Sequence, residues 1–256
     1  MKSKAKIILA LMGIVTFVFT MIWAVFKSGV MASVSHETYQ QATYSFDVVL
    51  DTYYSETGEE VNGIRAIIQP QLADESTSLP STAYLNASQQ RLQQWVSKRT
   101  GDELVDVMLM FARPLTMAEA NEILGSTNAE VFESAVVGYV YGVPFVNYAV
   151  ENGSLLTRSL TEVAESQHEF MIEAEKGHIE EADLTLVGDP VDVRGYLAVR
   201  AWIKVNNLNK LAQTPEVRFI DTTPQAVRDQ LNTDSNWQNM SVTWLSLPMP
   251  VWAYDW

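Results

Sequence analysis

The chain has 256 residues, of which 47% are hydrophobic, and its formal net charge at pH 7 is −14. This length and composition allow a hydrophobic core, while the acidity makes nucleic acid and anionic surfaces poor partners, so we expect no nucleic-acid partner. The chain contains no cysteine, which excludes disulfide bonds and thiol catalysis.

The first predicted element is a membrane anchor. Residues 7–26, IILALMGIVTFVFTMIWAVF, contain no charged residue. Twenty helical residues extend about 30 Å, the thickness of the hydrocarbon core of a bilayer, so the segment predicts a single transmembrane helix in the lipid bilayer. Three lysines precede it and one follows directly, which predicts a cytoplasmic stub of residues 1–6 and an extracytoplasmic remainder.

A cleaved signal peptide is the alternative, because Val30-Met31-Ala32 offers small residues at the spacing of a signal peptidase site. The apolar stretch is longer than the 7 to 15 residues that are usual for such peptides. Under both interpretations the bulk of the protein lies outside the cytoplasm. The residues after Lys27 carry 13 basic and 31 acidic residues, a net charge of −18.

Residues 27–102 are predicted to form a helical stalk and a connector. Apolar residues recur there at the three- and four-residue steps of one helix face. These positions are Tyr39, Ala42, Phe46, Val49 and Tyr53. A short extended segment is predicted over residues 64–72, IRAIIQPQL. The connector that follows, ADESTSLPST, is polar and rich in turn residues, and a second helix is predicted over residues 83–99.

Residues 103–232 are predicted to form an α+β domain. Its strands are expected over residues 103–115, 130–146, 195–205 and 216–221. A Thr116-to-Glu119 capping box begins a short helix after the first strand, and a second box at Ser159 and Glu162 begins a long helix. Without that inserted long helix the order is strand, helix, strand, strand, helix, strand, which predicts a ferredoxin-like antiparallel sheet with helices on one face.

The sequence offers no catalytic signature and no cofactor site. Glu165 with His168 and Glu175 with His178 have the spacing of helical metal ligands, but on one helix the two histidines lie about 15 Å apart. No Gly-x-Ser-x-Gly motif occurs, and Asp221-Thr-Thr lacks the glycine of an aspartic protease motif. We therefore expect no metal, no cofactor and no enzymatic activity.

The aromatic C-terminal tail, residues 233–256, is the best candidate for binding a partner. Aromatic residues of this kind pack over a sheet, dock on another protein or lie at a membrane interface. The candidate partner-binding residues are Trp237, Trp244, Trp252, Tyr254 and Trp256.

Several short motifs resemble the extracytoplasmic C-terminal domain of bacterial sigma factor regulators, which are membrane-bound anti-sigma proteins. They are a Phe-x-x-Pro strand-to-helix junction, a Tyr-Gly-x-Pro turn, and a Leu-x-x-Leu helix before a proline and a strand. The positions that match are Phe111, Pro114, Thr116, Glu119, Tyr141, Gly142, Pro144, Leu208, Leu211 and Pro215. Since only six residues precede the apolar segment, the resemblance implies the outer half of such a protein, without a domain that holds a sigma factor.

The sequence therefore predicts a non-catalytic, single-pass membrane protein whose extracytoplasmic domain binds a protein partner. Its role would be in envelope signalling, as the resemblance implies, or as a subunit of a membrane complex. The alternatives are an extracytoplasmic sensor that binds a small ligand and a hydrolase with a site built from scattered acidic residues.

Overall fold

The computed structural model describes residues 36–54, 60–73, 80–140, 143–176, 191–238 and 240–247. Within these residues the chain forms nine strands and five helices, which confirms the predicted α+β class. The chain divides into two compact units. Unit 1 is drawn from Met1–Gln69 and Leu231–Ser246, and unit 2 from Pro70–Gln230 and Leu247–Trp256.

The elements follow one another along the chain with helices and strands mixed. The strands are β1 (His36–Gln40), β2 (Tyr44–Tyr54), β3 (Glu60–Pro70), β4 (Leu104–Leu115), β5 (Glu130–Val140), β6 (Val143–Gly153), β7 (Val191–Lys204), β8 (Val217–Asp221) and β9 (Ser241–Ser246). The helices are α1 (Thr82–Lys98), α2 (Met117–Gly125), α3 (Leu160–Lys176), α4 (Val205–Ala212) and α5 (Thr223–Thr233).

Unit 1 contains a four-stranded sheet with the spatial order β1-β2-β3-β9. β1 and β2 are antiparallel, whereas β3 and β9 are parallel. The side chains of Phe46, Val48 and Ile64 are fully buried. The sheet thus joins three consecutive strands to one strand from near the C-terminal end of the described chain.

The predicted helical stalk is wrong for residues 36–54, which form β1 and β2 instead. The extended segment predicted from residue 64 agrees with β3. In β2 the buried residues are Tyr44, Phe46 and Val48, a repeat of two that places them on one face of a sheet. The same stretch is rich in aromatic and β-branched residues, which favour strands. The helix-like spacing of the apolar residues included positions on both faces of the strand.

Unit 2 contains a five-stranded sheet with the spatial order β6-β5-β7-β4-β8 and antiparallel neighbours throughout. The elements β4, α2, β5, β7, α4 and β8 occur in the predicted order, with β6 and α3 between β5 and β7. The single strand predicted over residues 130–146 is wrong, because the chain forms two strands there, β5 and β6, and the sheet has five strands in place of four. Both predicted capping boxes are present. Thr116 and Glu119 cap α2 reciprocally, and Ser159 and Glu162 do the same before α3.

The main core of unit 2 lies on one face of this sheet. Alternate β4 residues, Val105, Val107 and Leu109, are fully buried in it. Helices α1 to α4 supply the other side of the core through Leu92, Trp95, Ala120, Leu124, Val163, Leu208 and Leu211. Because neighbouring residues of a strand point to opposite faces, Asp106 and Met108 lie on the other face of the sheet.

No helix among the described residues is long and apolar enough to span a membrane. The predicted anchor, residues 7–26, lies outside the described residues, and so does the alternative cleavage site.

Candidate functional site

A buried carboxylate lies on the sheet of unit 2, opposite the main core. Asp106 on β4 has no exposed surface, and Arg200 on β7 is only 3% exposed. Arg200 donates from Nε to Oδ1 at 2.9 Å and from Nη2 to Oδ2 at 2.6 Å, which forms a bidentate ion pair. Arg228 on α5 donates from Nε to Oδ2 at 2.7 Å. Together with Gln225 and Glu133 these residues are called the Asp106 network.

Gln225 extends the Asp106 network along α5 and towards α1. Its Oε1 accepts from the backbone N–H of Asp106 at 2.9 Å, and its Nε2 donates to Asp229 Oδ1 at 2.8 Å. Arg99, at the end of α1, donates to both Asp229 and Glu103. The network therefore links the sheet, α5 and the end of α1 through charged hydrogen bonds.

Two aromatic rings cover the guanidinium groups of the network. The guanidinium carbon of Arg200 is 4.8 Å from the centroid of the Phe132 ring, and that of Arg228 is 4.8 Å from the centroid of Trp202. The two ring centroids are 6.1 Å apart. Both cations thus combine a carboxylate partner with a ring face, an arrangement that stabilises charge away from water.

The geometry of Asp106 does not suit a general base, because both carboxylate oxygens already accept hydrogen bonds from arginine and no surface reaches solvent. Glu133 is the more exposed carboxylate of the network, and its Oε2 lies 3.8 Å from Arg200 Nη1. Burial raises the pKa of Glu133, and the positive charge of Arg200 opposes that rise.

The space beside Glu133 is small. A cavity of about 10 Å³ adjoins it, with Met108, Ala135 and Ala198 in its wall. That volume accommodates roughly one water molecule, and small-molecule sites are usually larger than about 300 Å³.

A second buried polar cluster joins α1 to the end of β8. The Tyr84 hydroxyl donates to Asp221 Oδ2 at 2.5 Å, and the backbone N–H of Thr223 donates to Oδ1 at 2.9 Å. Ser88 Oγ accepts from the backbone N–H of Thr222 at 2.8 Å. Burial, and then the nearby Asp221 charge, raise the pKa of Tyr84 well above its ordinary value, so the phenol remains a donor. Asp221-Thr-Thr thus ends β8 and begins α5, the simpler role that its position before Pro224 indicates.

A surface groove of about 280 Å³ lies beside the first turn of α2. It is polar and is lined by Arg113, Glu119, Glu122, Ile123, Ser126, Thr214 and Glu216. Arg113 Nη2 donates to Glu119 Oε1 at 2.6 Å, and the backbone N–H and hydroxyl of Thr116 donate to Oε2 at 2.8 and 2.9 Å. Arg113 first, and then Thr116, lower the pKa of Glu119 to about 2.

The lowered pKa of Glu119 predicts an acid-dependent loss of stability. A carboxyl whose folded pKa lies below its unfolded value, about 4.5, stabilises the fold above pH 4.5, and this contribution is lost as the pH falls towards 2. We expect the wild-type advantage over Glu119→Gln in free energy of unfolding to shrink over that range. Urea unfolding at several pH values measures it. Glu122→Gln, in the same groove, is the control, and an advantage that does not change with pH would contradict the prediction.

The histidine motifs form no metal site in the described part of the chain. Across those residues no group of three or more histidine, aspartate or glutamate side chains could hold a metal ion. Glu165 and His168 lie on α3, while His178, the second histidine of the paired motif, falls outside the described residues.

The structure describes two of the five predicted partner-binding residues. Trp237 is 1% exposed, and its Nε1 donates to Glu37 Oε2 at 3.0 Å and to the Tyr39 hydroxyl at 2.8 Å. Trp237 is therefore a core residue of unit 1. Its predicted role in binding a partner is wrong, because a buried indole cannot contact another protein. Trp244 lies in β9, where its backbone pairs with Arg65. The other candidates, Trp252, Tyr254 and Trp256, fall outside the described residues.

The positions of the family motif that the structure describes have structural roles. Phe111, Leu208 and Leu211 are buried in the core of unit 2. Thr116 and Glu119 form the capping box of α2. Pro114 lies in β4 and Pro144 in β6, and Pro215 precedes β8. Tyr141 and Gly142 fall outside the described residues.

No sequence motif predicts the Asp106 network. The signal was a charged residue inside each of two apolar runs, Asp106 in ELVDVMLMF and Arg200 in YLAVRAWIK. A charge within a buried strand requires a partner of opposite charge, so this pattern indicates that Asp106 and Arg200 form an ion pair. Arg228 lies on an ordinary polar helix face and carried no comparable signal.

The fold and these sites define a two-unit α+β protein whose buried polar clusters bond within the chain. Comparisons with protein-family models, with curated proteins and with solved structures found no match. The resemblance to sigma factor regulators therefore stays a prediction.

Proposed function

We propose that the chain is a non-catalytic, single-pass membrane protein whose extracytoplasmic, ferredoxin-like domain binds a protein partner. Its role is in envelope signalling, in the manner of the sigma factor regulators that it resembles, or in a membrane complex. Residues 7–26 are the anchor, and the acidic remainder is on the far side of the membrane.

The observation that carries this proposal is the internal pairing of the polar clusters. Asp106 and Asp221, the two buried aspartates among the described residues of unit 2, accept hydrogen bonds from the chain's own arginine, tyrosine and backbone donors. A catalytic carboxylate needs an open position for substrate, and a cavity of about 10 Å³ beside Glu133 does not provide one. Paired clusters of this kind favour a structural scaffold that acts through its surface.

The length of the apolar segment and the lysines before it support the location. An uncharged run of twenty residues matches a bilayer, and the bias of positive charge favours a cytoplasmic amino terminus. For the binding surface we propose Trp252, Tyr254 and Trp256, because tryptophan and tyrosine contribute most strongly to binding energy at protein interfaces.

A pull-down from detergent-solubilised membranes tests the proposal. We expect the wild-type chain to recover a stoichiometric protein partner, and the double variant Trp252→Ala with Trp256→Ala to recover at least tenfold less, since the loss of one tryptophan at an interface centre by itself costs about 1.4 kcal/mol or more, a factor of about ten in affinity. Leu72→Ala, at a side chain that is 42% exposed, is the matched control and should recover the partner normally.

Two results would contradict the proposal. If circular dichroism shows that the double variant no longer folds, the tail is part of the core and does not form the binding surface. If the purified wild-type chain is monomeric and retains a small ligand, the sensor alternative replaces partner binding.

A further inference from the structure

Two carboxylates of unit 1 meet at the hydroxyl of Tyr39. The phenol oxygen lies 2.8 Å from Glu37 Oε2 and 2.8 Å from Asp234 Oδ2. Trp237 Nε1 lies 2.8 Å from the same phenol oxygen and 3.0 Å from Glu37 Oε2. Tyr39 and Glu37 belong to β1, whereas Asp234 and Trp237 belong to the segment between α5 and β9. These four side chains are called the Tyr39 cluster.

The Tyr39 cluster has more acceptors than its hydrogen atoms can serve. A phenol carries one hydrogen on its oxygen, and an indole carries one on its nitrogen. The Tyr39 hydroxyl therefore donates to one of the two carboxylates at a time. The other carboxylate oxygen then faces a lone pair of the phenol at 2.8 Å, which is the usual distance of a hydrogen bond between two oxygens. One further proton, placed between these two oxygens, turns the contact into a hydrogen bond.

The described residues of unit 1 offer little positive charge to this cluster. They contain no lysine, one arginine and one histidine. Arg65 pairs with Asp51 at 3.2 Å, and His36 lies 3.9 Å from Asp47. Within the described part of the chain, neither carboxylate of the cluster forms an ion pair. Two carboxylates that share one hydroxyl without a cation repel each other, and this repulsion favours a proton between them.

The neighbours that contact the cluster are uncharged. The Tyr39 ring stacks on Phe46 of β2 with centroids 4.7 Å apart, and Asn236 donates from Nδ2 to Glu37 Oε2 at 3.4 Å. His36 precedes Glu37 in β1 and so points to the opposite face of the strand. Burial, and then the hydrogen bonds to the two carboxylates, raise the pKa of Tyr39 well above its ordinary value, so the phenol keeps its own hydrogen.

We propose that Glu37 and Asp234 bind one proton between them at the Tyr39 hydroxyl, and that this proton stabilises the contact of β1 with the segment between α5 and β9. In the proton-bound state Asp234 donates to the phenol oxygen, while Tyr39 and Trp237 donate to Glu37. The proton belongs to the pair rather than to one residue. When it leaves, one carboxylate and the phenol oxygen repel each other. The cluster is thus a pH-sensitive clasp within unit 1, and it requires neither the membrane anchor nor the proposed binding surface.

The proton makes stability depend on pH in the direction opposite to that of Glu119. Unfolded aspartate and glutamate side chains release their protons near about pH 4. The folded cluster keeps one proton above that pH, so the folded state binds more protons than the unfolded chain. The free energy of unfolding therefore falls as the pH rises and the cluster loses its proton. One proton changes the unfolding equilibrium constant by at most about tenfold per pH unit.

Urea unfolding of the full-length wild-type chain and of Asp234→Asn, in detergent between pH 5 and 8, tests the proposal. The amide imitates the proton-bound carboxyl, because its Nδ2 donates to the Tyr39 hydroxyl. Its Oδ1 still accepts from the backbone N–H of Asn236, as the Asp234 carboxylate does at 2.8 Å. As the pH rises, we expect the wild-type unfolding constant to increase several-fold relative to that of Asp234→Asn.

Asp51→Asn is the matched control. It also removes one carboxylate from unit 1, but Asp51 accepts from Arg65 and from the Thr243 hydroxyl, and these hydrogen bonds need no added proton. This variant should retain the wild-type pH dependence. In NMR spectra the indole N–H signal of Trp237, identified by its absence from Trp237→Phe, should shift between pH 5 and 8 in wild type and remain in place in Asp234→Asn.

The same pH dependence in wild type and Asp234→Asn would overturn the proposal, as would an equal change in Asp51→Asn. Glu37→Gln removes the other carboxylate of the pair and should reduce the pH dependence to the same extent, so it replaces Asp234→Asn if that variant does not fold. Failure of both amide variants to fold would also overturn the proposal, because an amide that imitates the shared proton should fit the cluster.

Discussion

Replacing Asp106 by alanine should lower the free energy of unfolding by about 3 to 5 kcal/mol, the loss expected when one partner of a buried ion pair is removed. The substitution leaves Arg200, which is 3% exposed, with its charge buried and its bidentate partner gone. It also removes the acceptor of Arg228. Urea unfolding of the detergent-solubilised chain, followed by circular dichroism, measures the loss.

A matched control shows whether the loss of stability comes from the burial of the ion pair or from the removal of a charge alone. Asp102 pairs with Lys204 at 3.0 Å, but its side chain is 85% exposed. Exposed pairs contribute about 0 to 1 kcal/mol, so Asp102→Ala should change stability little. Arg200→Ala should be as costly as Asp106→Ala, and the double variant should lose less than the sum of both, because its members remove the same interaction. Additive losses would show that the two residues act independently.

Trp237→Ala should lower the free energy of unfolding by about 3 to 5 kcal/mol, because it empties a large core position of unit 1. The side chain is 1% exposed, and its Nε1 donates to Glu37 and Tyr39. The Tyr39 hydroxyl also donates to Asp234 Oδ2 at 2.8 Å, so the substitution loosens a wider cluster. Thermal unfolding of the full chain provides the measurement.

Trp237→Phe is the informative comparison. Phenylalanine retains much of the apolar burial but removes the indole donor, so we expect a smaller loss of about 1 to 3 kcal/mol. If Trp237→Ala instead leaves stability unchanged and abolishes partner recovery, Trp237 belongs to the binding surface and its packing role is wrong. The result thus decides whether Trp237 packs in the core of unit 1 or docks on a partner, which are two of the alternatives predicted for the aromatic C-terminal tail.

Most elements of unit 2 could be predicted from the sequence because their signals are local, although β6 was not distinguished from β5. Each capping box uses residues three apart, as at Thr116 and Glu119, and an apolar run such as residues 104–111 indicates a strand without reference to the rest of the chain. The alternation of strands and helices then restricted the topology to a split pattern.

Unit 1 could not be predicted in the same way. Its sheet needs β9, which lies more than 170 residues beyond β3 along the chain, and the parallel register of Ile64 with Val242 leaves no local trace. The apolar residues of β2 fit both the three- and four-residue spacing of a helix and the two-residue repeat of a strand. Only burial in the sheet shows that the repeat of two, through Phe46 and Val48, is the one that matters.

What the sequence by itself determined is the chain's chemistry and its local elements: an acidic protein without cysteine, an uncharged run of membrane length, and strands and helices in a split order. The tertiary structure decided which distant side chains meet. Arg200 lies 94 residues and Arg228 lies 122 residues beyond Asp106 along the chain, yet both arginines donate to the Asp106 carboxylate. Periodicity reports the face on which a residue lies, whereas the partner across that face depends on strand register and helix packing, which are set by the whole chain.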